Sequence, residues 1–299
     1  MARMSYELRP SKAVTRRLFV DVLRRLSAVA APSDYQYVGF GALEFADFEL
    51  VHRQLGIAKM TSIEGDAAHV ERYIWNRPYG GIEVLAGRAS TILPSLDWSQ
   101  LSIVWLDYTS TQTAEVLADI DTVASRLLPG SVLAVTLNAH PQKLGERVAA
   151  LESAVGADRV PLEASEARLG QWGLADVQWE ILNAELRRTL SERADSAVWR
   201  QVLNIHYQDA ARMQIVAGVV SNPATERLID QCRFSDLDFV RAGSDALRLK
   251  VPLLTLPERS WLNRQLPVAA GAALDPSPGV SEADVAAYLD IYRYLEALP

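Results

Sequence analysis

Tyr37-Val-Gly-Phe-Gly-Ala42 and Ser62-Ile-Glu-Gly-Asp66 are the two stretches that decide the fold. The first is an apolar strand running into two glycines, Gly39 and Gly41, a turn that lets backbone approach a ligand closely. The second is another apolar strand ending, about 20 residues later, on an acidic side chain suited to a ribose diol. Together they imply a nucleoside-containing cofactor at the carboxyl ends of parallel strands. On these residues alone, S-adenosylmethionine, NAD and no cofactor at all stay open.

Outward from this pair, strands and helices alternate. Apolar residues recur at helical spacing over 12–30, and Ala31-Pro-Ser-Asp34 breaks that helix. Strands are expected at 35–40, 60–63, 82–85, 101–106 and 131–137, with helices at 43–55, 67–75 and 113–128 between them. The fourth and fifth strands, LSIVWL and SVLAVTL, are apolar throughout, as in the middle of a parallel sheet. Residues 142–155 and 174–210 read as helical. MQIVAGVV at 213–220 and ALRLKVPLL at 246–254 read as a terminal strand pair. A short helix at 256–266, a loop at 269–279 and a last helix at 281–297 follow.

The expectation is an α/β fold: a Rossmann-like, doubly wound, seven-stranded sheet with extra N-terminal, middle and C-terminal helices. One elaborated domain over 1–299 is expected. Residues 1–30 form a helical extension, 35–140 the cofactor-binding half and 141–299 the substrate or interface half.

The bulk properties narrow the function. A net charge of -7 gives no general attraction to nucleic acid, so such a partner is not expected. The basic run Arg9, Lys12, Arg16, Arg17, Arg24 and Arg25 could form a local basic patch or, equally well, a solvated helix face. Arg9 and Lys12 could also reach over the crevice as a lid contact, solvent exposure being the plainer reading. The single cysteine, Cys232, excludes an intramolecular disulfide framework and a cysteine zinc cluster. No apolar run reaches membrane-spanning length and the start lacks a signal-peptide core, so a cytoplasmic protein is expected.

In an open α/β sheet ligands sit beyond the carboxyl ends of the strands. Here those ends carry Gly39, Phe40 and Gly41; Glu64, Gly65 and Asp66; Gly87, Arg88, Ala89 and Ser90; Asp107 and Tyr108; and Asn138 and His140. This ordering resembles the class I S-adenosylmethionine-dependent methyltransferases. RPSK at 9–12, YVGFGALEFADF at 37–48, HRQLGIAKMTSIEGD at 52–66, NRP at 76–78 and WLDY at 105–108 resemble more narrowly a prokaryotic family labelled as O-methyltransferases. The resemblance implies S-adenosylmethionine as cofactor. Gly39, Phe40 and Gly41 would hold its amino-acid part, Glu64 and Gly65 the ribose, Arg88, Ala89 and Ser90 the adenine side, and Asp107 and Tyr108 the methyl side.

The chain departs from that pattern in places. The usual third glycine falls at Leu43, and the acidic residue expected two before the first glycine is Tyr37, for which Asp34 or Asp47 could substitute. LDY continues into Thr109-Ser110 where relatives carry Asp and Gly.

Each candidate also has a plainer reading. The glycines could serve only a tight turn, Glu64 a helix dipole, Asp66 an N-cap, and Asp107 a loop anchor. The catalytic candidates are Asp107, as proton acceptor, and His140, which could equally be a hydrated loop residue. No metal site is expected. The leading expectation is methyl transfer to an oxygen or nitrogen acceptor of unknown identity. The alternative is a catalytically degenerate scaffold or sensor in a prokaryotic complex, such as one of genome defence, with a protein partner or a second copy of the chain.

Overall fold

The computed structural model describes residues 9–269 and 272–295. The chain opens with α1 (Pro10–Arg25), whose proline at the first position has its φ already set for a helix. Val14, Leu18, Phe19, Val22 and Leu23 form its buried stripe. Then follow β1 (Gln36–Gly39), α2 (Ala46–Leu55), β2 (Met60–Glu64), α3 (Val70–Asn76), β3 (Ile82–Ala86) and α4 (Ala89–Ile92). The middle of the chain forms β4 (Ser102–Asp107), α5 (Ala114–Arg126), β5 (Val132–Asn138), α6 (Arg147–Val155) and α7 (Gly173–Ser191). It closes with β6 (Val198–Gln208), β7 (Arg212–Ser221), α8 (Glu226–Gln231), β8 (Leu247–Leu249), α9 (Leu256–Asn263) and α10 (Glu282–Ile291).

The strands make one sheet in the order β3-β2-β1-β4-β5-β7-β6-β8. β3, β2, β1, β4 and β5 pair in parallel, and β7 pairs antiparallel with both β5 and β6. The chain winds outward from β1 to β3 and then returns to β4 on the other side of β1. The crevice between the β1 and β4 tips is therefore the topological switch point, where open α/β sheets bind ligands. One face of the sheet is covered by the apolar stripes of α1 and α2 around Phe19, Phe45, Phe48 and Trp105. The other packs against α5 and α7 through residues such as Val116, Ile120, Val123, Ile181 and Leu186.

The α/β class and the doubly wound sheet match expectation, but the carboxyl-terminal half differs. The sheet has eight strands rather than seven. The helix expected over 174–210 stops at Ser191, and 198–208 is the long strand β6. The antiparallel pair is thus the hairpin of β6 and β7, while Leu247–Leu249 is a short edge strand running parallel to β6. A register shift between Gln201 and Leu203 explains why β6 does not read as a strand. The extra residue breaks the period-two alternation, and the buried Gln201, Asn204 and His206 interrupt the apolar run. Residues 1–8 of the expected N-terminal extension, 270–271 of the expected loop and 296–297 of the expected last helix lie outside the described residues.

Candidate active site

A cavity of about 490 Å³ opens at the switch point. Phe40, Gly41 and Ala42 line it from β1, Ile63, Glu64 and Gly65 from β2, and Gly87 to Ser90 from β3. Asp107, Tyr108 and Thr109 line it from β4, Glu115 and Asp119 from α5, and Arg9 and Lys12 from the start of α1. Of the residues expected from sequence, Phe40, Gly41, Glu64, Gly65, Arg88, Ala89, Ser90, Asp107 and Tyr108 come together here. Gly39 and His140 do not.

Gly39 ends β1 itself. A Cβ there would lie 3.2 Å from the Tyr37 ring and 3.3 Å from the Trp105 carbonyl oxygen, so its small size serves strand packing. Gly41 has the tighter constraint. A Cβ would collide with the Phe45 ring and fall 2.7 Å from Ser62 Oγ. The turn continues with Ala42 and Phe45 in left-handed conformations, at φ 51° and 48°. These non-glycine residues bend the backbone, so no glycine is needed at Leu43; each costs about 1 kcal/mol or more of strain.

Glu64 is tied to this turn through one oxygen. Its Oε1 accepts from the Ala42 N–H at 3.0 Å and from Ser62 Oγ at 2.6 Å, and Ser62 Oγ in turn accepts from the Gly41 N–H at 2.8 Å. Both bonds use Oε1, so Oε2 is left for a ligand. Burial holds the Glu64 carboxyl above the usual range, opposed by the Ser62 hydroxyl and the loop amides. Ser62 is a site residue that sequence did not single out. Its one signal is a position two before Glu64, on the same face of the strand.

At the β4 tip, Asp107 Oδ2 accepts from Lys12 Nζ at 2.5 Å, and Oδ1 is buried with no hydrogen-bond partner. Next to it the Tyr108 hydroxyl donates to Asp119 Oδ2 at 2.7 Å, and its ring meets Phe40 edge-on at 5.2 Å between centroids. Burial raises both Tyr108 and Asp119 above their usual ranges, and in Tyr108 the neighbouring carboxylate adds to the effect. Glu115 and Asp119 lie one helical turn apart on α5, a spacing that puts both on one face.

Lys12 and Arg16 correct the picture of a solvated basic helix face, since both are buried. Neither proposed substitute for the missing acid at Tyr37 reaches the cavity. Asp34 precedes β1, at the opposite end of the strand. Asp47 is buried and accepts the Tyr37 hydroxyl at 2.5 Å. Asp66 sits at the expected cap position, but its side chain meets His69 Nδ1 rather than a backbone amide. His140 is exposed, with its N–H donating to Asn138 Oδ1. Among the described residues no cluster could hold a metal ion, and no helix is long and apolar enough to cross a membrane.

Several solved structures are similar to this chain. "S-adenosylmethionine-dependent methyltransferase SibL" in its apo form shares 11% identity over 70% of this chain and 55% of its own, with a TM-score of 0.39. Trm1 from Pyrococcus horikoshii, solved with S-adenosyl-L-methionine, shares 13% over 75% and 58%, with a TM-score of 0.47. The O-methyltransferase TomG from Streptomyces achromogenes, solved with SAM, shares 16% over 74% and 92%, with a TM-score of 0.39. The chain thus spans only 55% of the length of SibL and 58% of that of Trm1. No curated protein matches it significantly in sequence. The family described as "Putative O-methyltransferase" matches residues 4–297. With that match over nearly its whole length, the chain belongs to this O-methyltransferase family.

Proposed function

We propose that the protein transfers a methyl group from S-adenosylmethionine to an oxygen acceptor. The observation that carries this reading is Glu64: a carboxylate fixed to the glycine turn through Oε1, bordering a cavity at the switch point with Oε2 available. The residues present fit the cofactor. Glu64 supplies an acceptor for the ribose diol, Ile63 and Ala89 supply apolar walls for the adenine, and the unpartnered Oδ1 of Asp107 lies at the β4 tip. Bound there, the cofactor would supply an electrophilic methyl group on a sulfonium.

The chain's own part is mainly placement, since holding the acceptor oxygen in line accounts for most of such catalysis. To Asp107, which lines the cavity at the β4 tip, we assign the role of taking the acceptor's proton. His140 has no part in this reading, because it does not line the cavity. The α5 carboxylates and the half of the chain beyond 141 would shape the acceptor's approach or an interface. The reducing compartment that suits a lone cysteine makes a prokaryotic cytoplasm the setting we infer.

Titration calorimetry with S-adenosylmethionine and S-adenosylhomocysteine tests the reading. Saturable binding of both is expected, and absence of either at high micromolar protein overturns it. Binding without transfer to any hydroxyl acceptor would favour the scaffold alternative.

A further inference from the structure

The charges around the cavity are unevenly placed. Glu64 lies on the β2 side and Arg88 beyond β3, with Asp107, Glu115 and Asp119 on the β4 and α5 side; from the start of α1, Arg9 and Lys12 reach in, Lys12 against Asp107 at the β4 tip. Lys12 is only 8% exposed, and one of its three N–H groups is taken by Asp107. Arg9 has no carboxylate partner among the described residues. Asp209 does not serve it: its two oxygens accept the backbone N–H groups of Ser11 and Lys12, at 3.0 and 3.1 Å. The first amides of α1 are therefore occupied, and only the two cationic side chains are left to meet a ligand. β2 and β4 are two strand positions apart, roughly 10 Å at the usual spacing. A nucleoside fixed at Glu64 must point its other end across the β1 tip towards these cations.

We propose that Arg9 and Lys12, carried by α1, bind the carboxylate at the amino-acid end of the cofactor. The proposal rests on the reading of the cavity given above. It assigns to the amino-terminal helix a binding role that neither the glycine turn nor the strand tips supply. Asp107 holds the Lys12 ammonium at the cavity edge, and Asp209 fixes the helical turn that carries it.

The test compares two ligands that differ only at that end. S-adenosylhomocysteine has the amino-acid group, and 5′-methylthioadenosine keeps the nucleoside but lacks it. Arg9→Met and Lys12→Met should each weaken S-adenosylhomocysteine binding by about tenfold to a hundredfold, the usual value of a charged hydrogen bond. Both should leave 5′-methylthioadenosine affinity within about twofold, which also shows that each variant is folded. Lys12→Arg, which keeps the charge, should recover most of the lost affinity. Unchanged S-adenosylhomocysteine binding in both methionine variants overturns the assignment, as does an equal loss for the two ligands. If the parent protein binds neither ligand, the cofactor reading itself fails, a result distinct from either of these.

Discussion

The tips of β1, β2 and β4 and the tips of β6 and β7 lie at the same end of one sheet, and both groups are rich in polar side chains. The first borders a cavity, where Glu64 uses only Oε1 in its hydrogen bonds to the turn and Asp107 pairs with Lys12. The second is sealed. Asn204, His206 and Gln214 are almost completely buried. Trp172 stacks on His206 at 5.0 Å and 13°, and the guanidiniums of Arg212 and Arg248 lie 5.6 and 5.7 Å from the Trp172 ring centroid. Polar residues gathered at strand ends do not by themselves make a binding crevice. What covers them decides whether they meet a ligand or one another.

Substitutions at each end can break or sharpen that contrast. The largest effect is expected at Glu64. Glu64→Ala removes the ribose acceptor and the anchor of the Ala42 amide, and should weaken S-adenosylhomocysteine binding about a hundredfold or more, roughly 3 kcal/mol, by calorimetry. Retained affinity would make this end no more directed at a ligand than the sealed one.

At the sealed end the effect should fall on stability. Burial, with Arg248 nearby, lowers the His206 pKa to about 4, against about 6.5 in an unfolded chain. As pH falls, the unfolded chain takes up that proton first. Stability is therefore full above about pH 6.5, declines by roughly 3 kcal/mol between there and pH 4, and levels off below. His206→Gln should remove this share of the slope from urea midpoints measured across the range. A slope equal to the parent's would assign the effect to other groups, though not to Asp176, 4.0 Å away, whose carboxyl pKa burial raises so that it acts in the opposite direction.

Trp172→Ala uncovers the same histidine. It should cost about 2 kcal/mol of stability, since the ring is half-buried. The His206 pKa should rise towards 6.5 in an NMR titration, with nucleoside affinity unchanged; a change in that affinity would join the two ends that the structure keeps apart. The smallest effect is expected at Asp209, whose carboxylate caps α1. Asp209→Ala should lower thermal stability by about 1 kcal/mol, and an unaltered melting temperature would show the cap to be dispensable.

Much of the sealed end was illegible in the sequence, and much of the cavity was legible, for one physical reason. Parallel strands covered on both faces read as short apolar runs, and their tips can be located by where the run stops; Glu64 and Asp107 are found that way. β6 has no such run, because its bulge shifts the alternation and its buried polar residues resemble a helix surface. Lys12 was hidden differently. RPSK allows a reach over the crevice but reads more plainly as a solvated helix start, and nothing local reveals an acid 95 residues away that draws the lysine inward. Ser62 and Asp119 likewise gain their roles only from partners that the fold brings to them. His140 shows the converse, a residue beyond a legible strand end that is exposed and does not line the cavity.

The hold of Asp209 on α1 also bears on the order of assembly. The capped amide of Ser11 and its carboxylate partner are separated by 198 positions. α1 is synthesised before any strand of the sheet, yet its first turn lacks its cap until the β6–β7 hairpin is in place. A contact of such long range is slow to form, because the entropy of closing so long a loop is lost before the contact compensates for it. The helix that borders the ligand should therefore be among the earliest elements made and among the last to be secured.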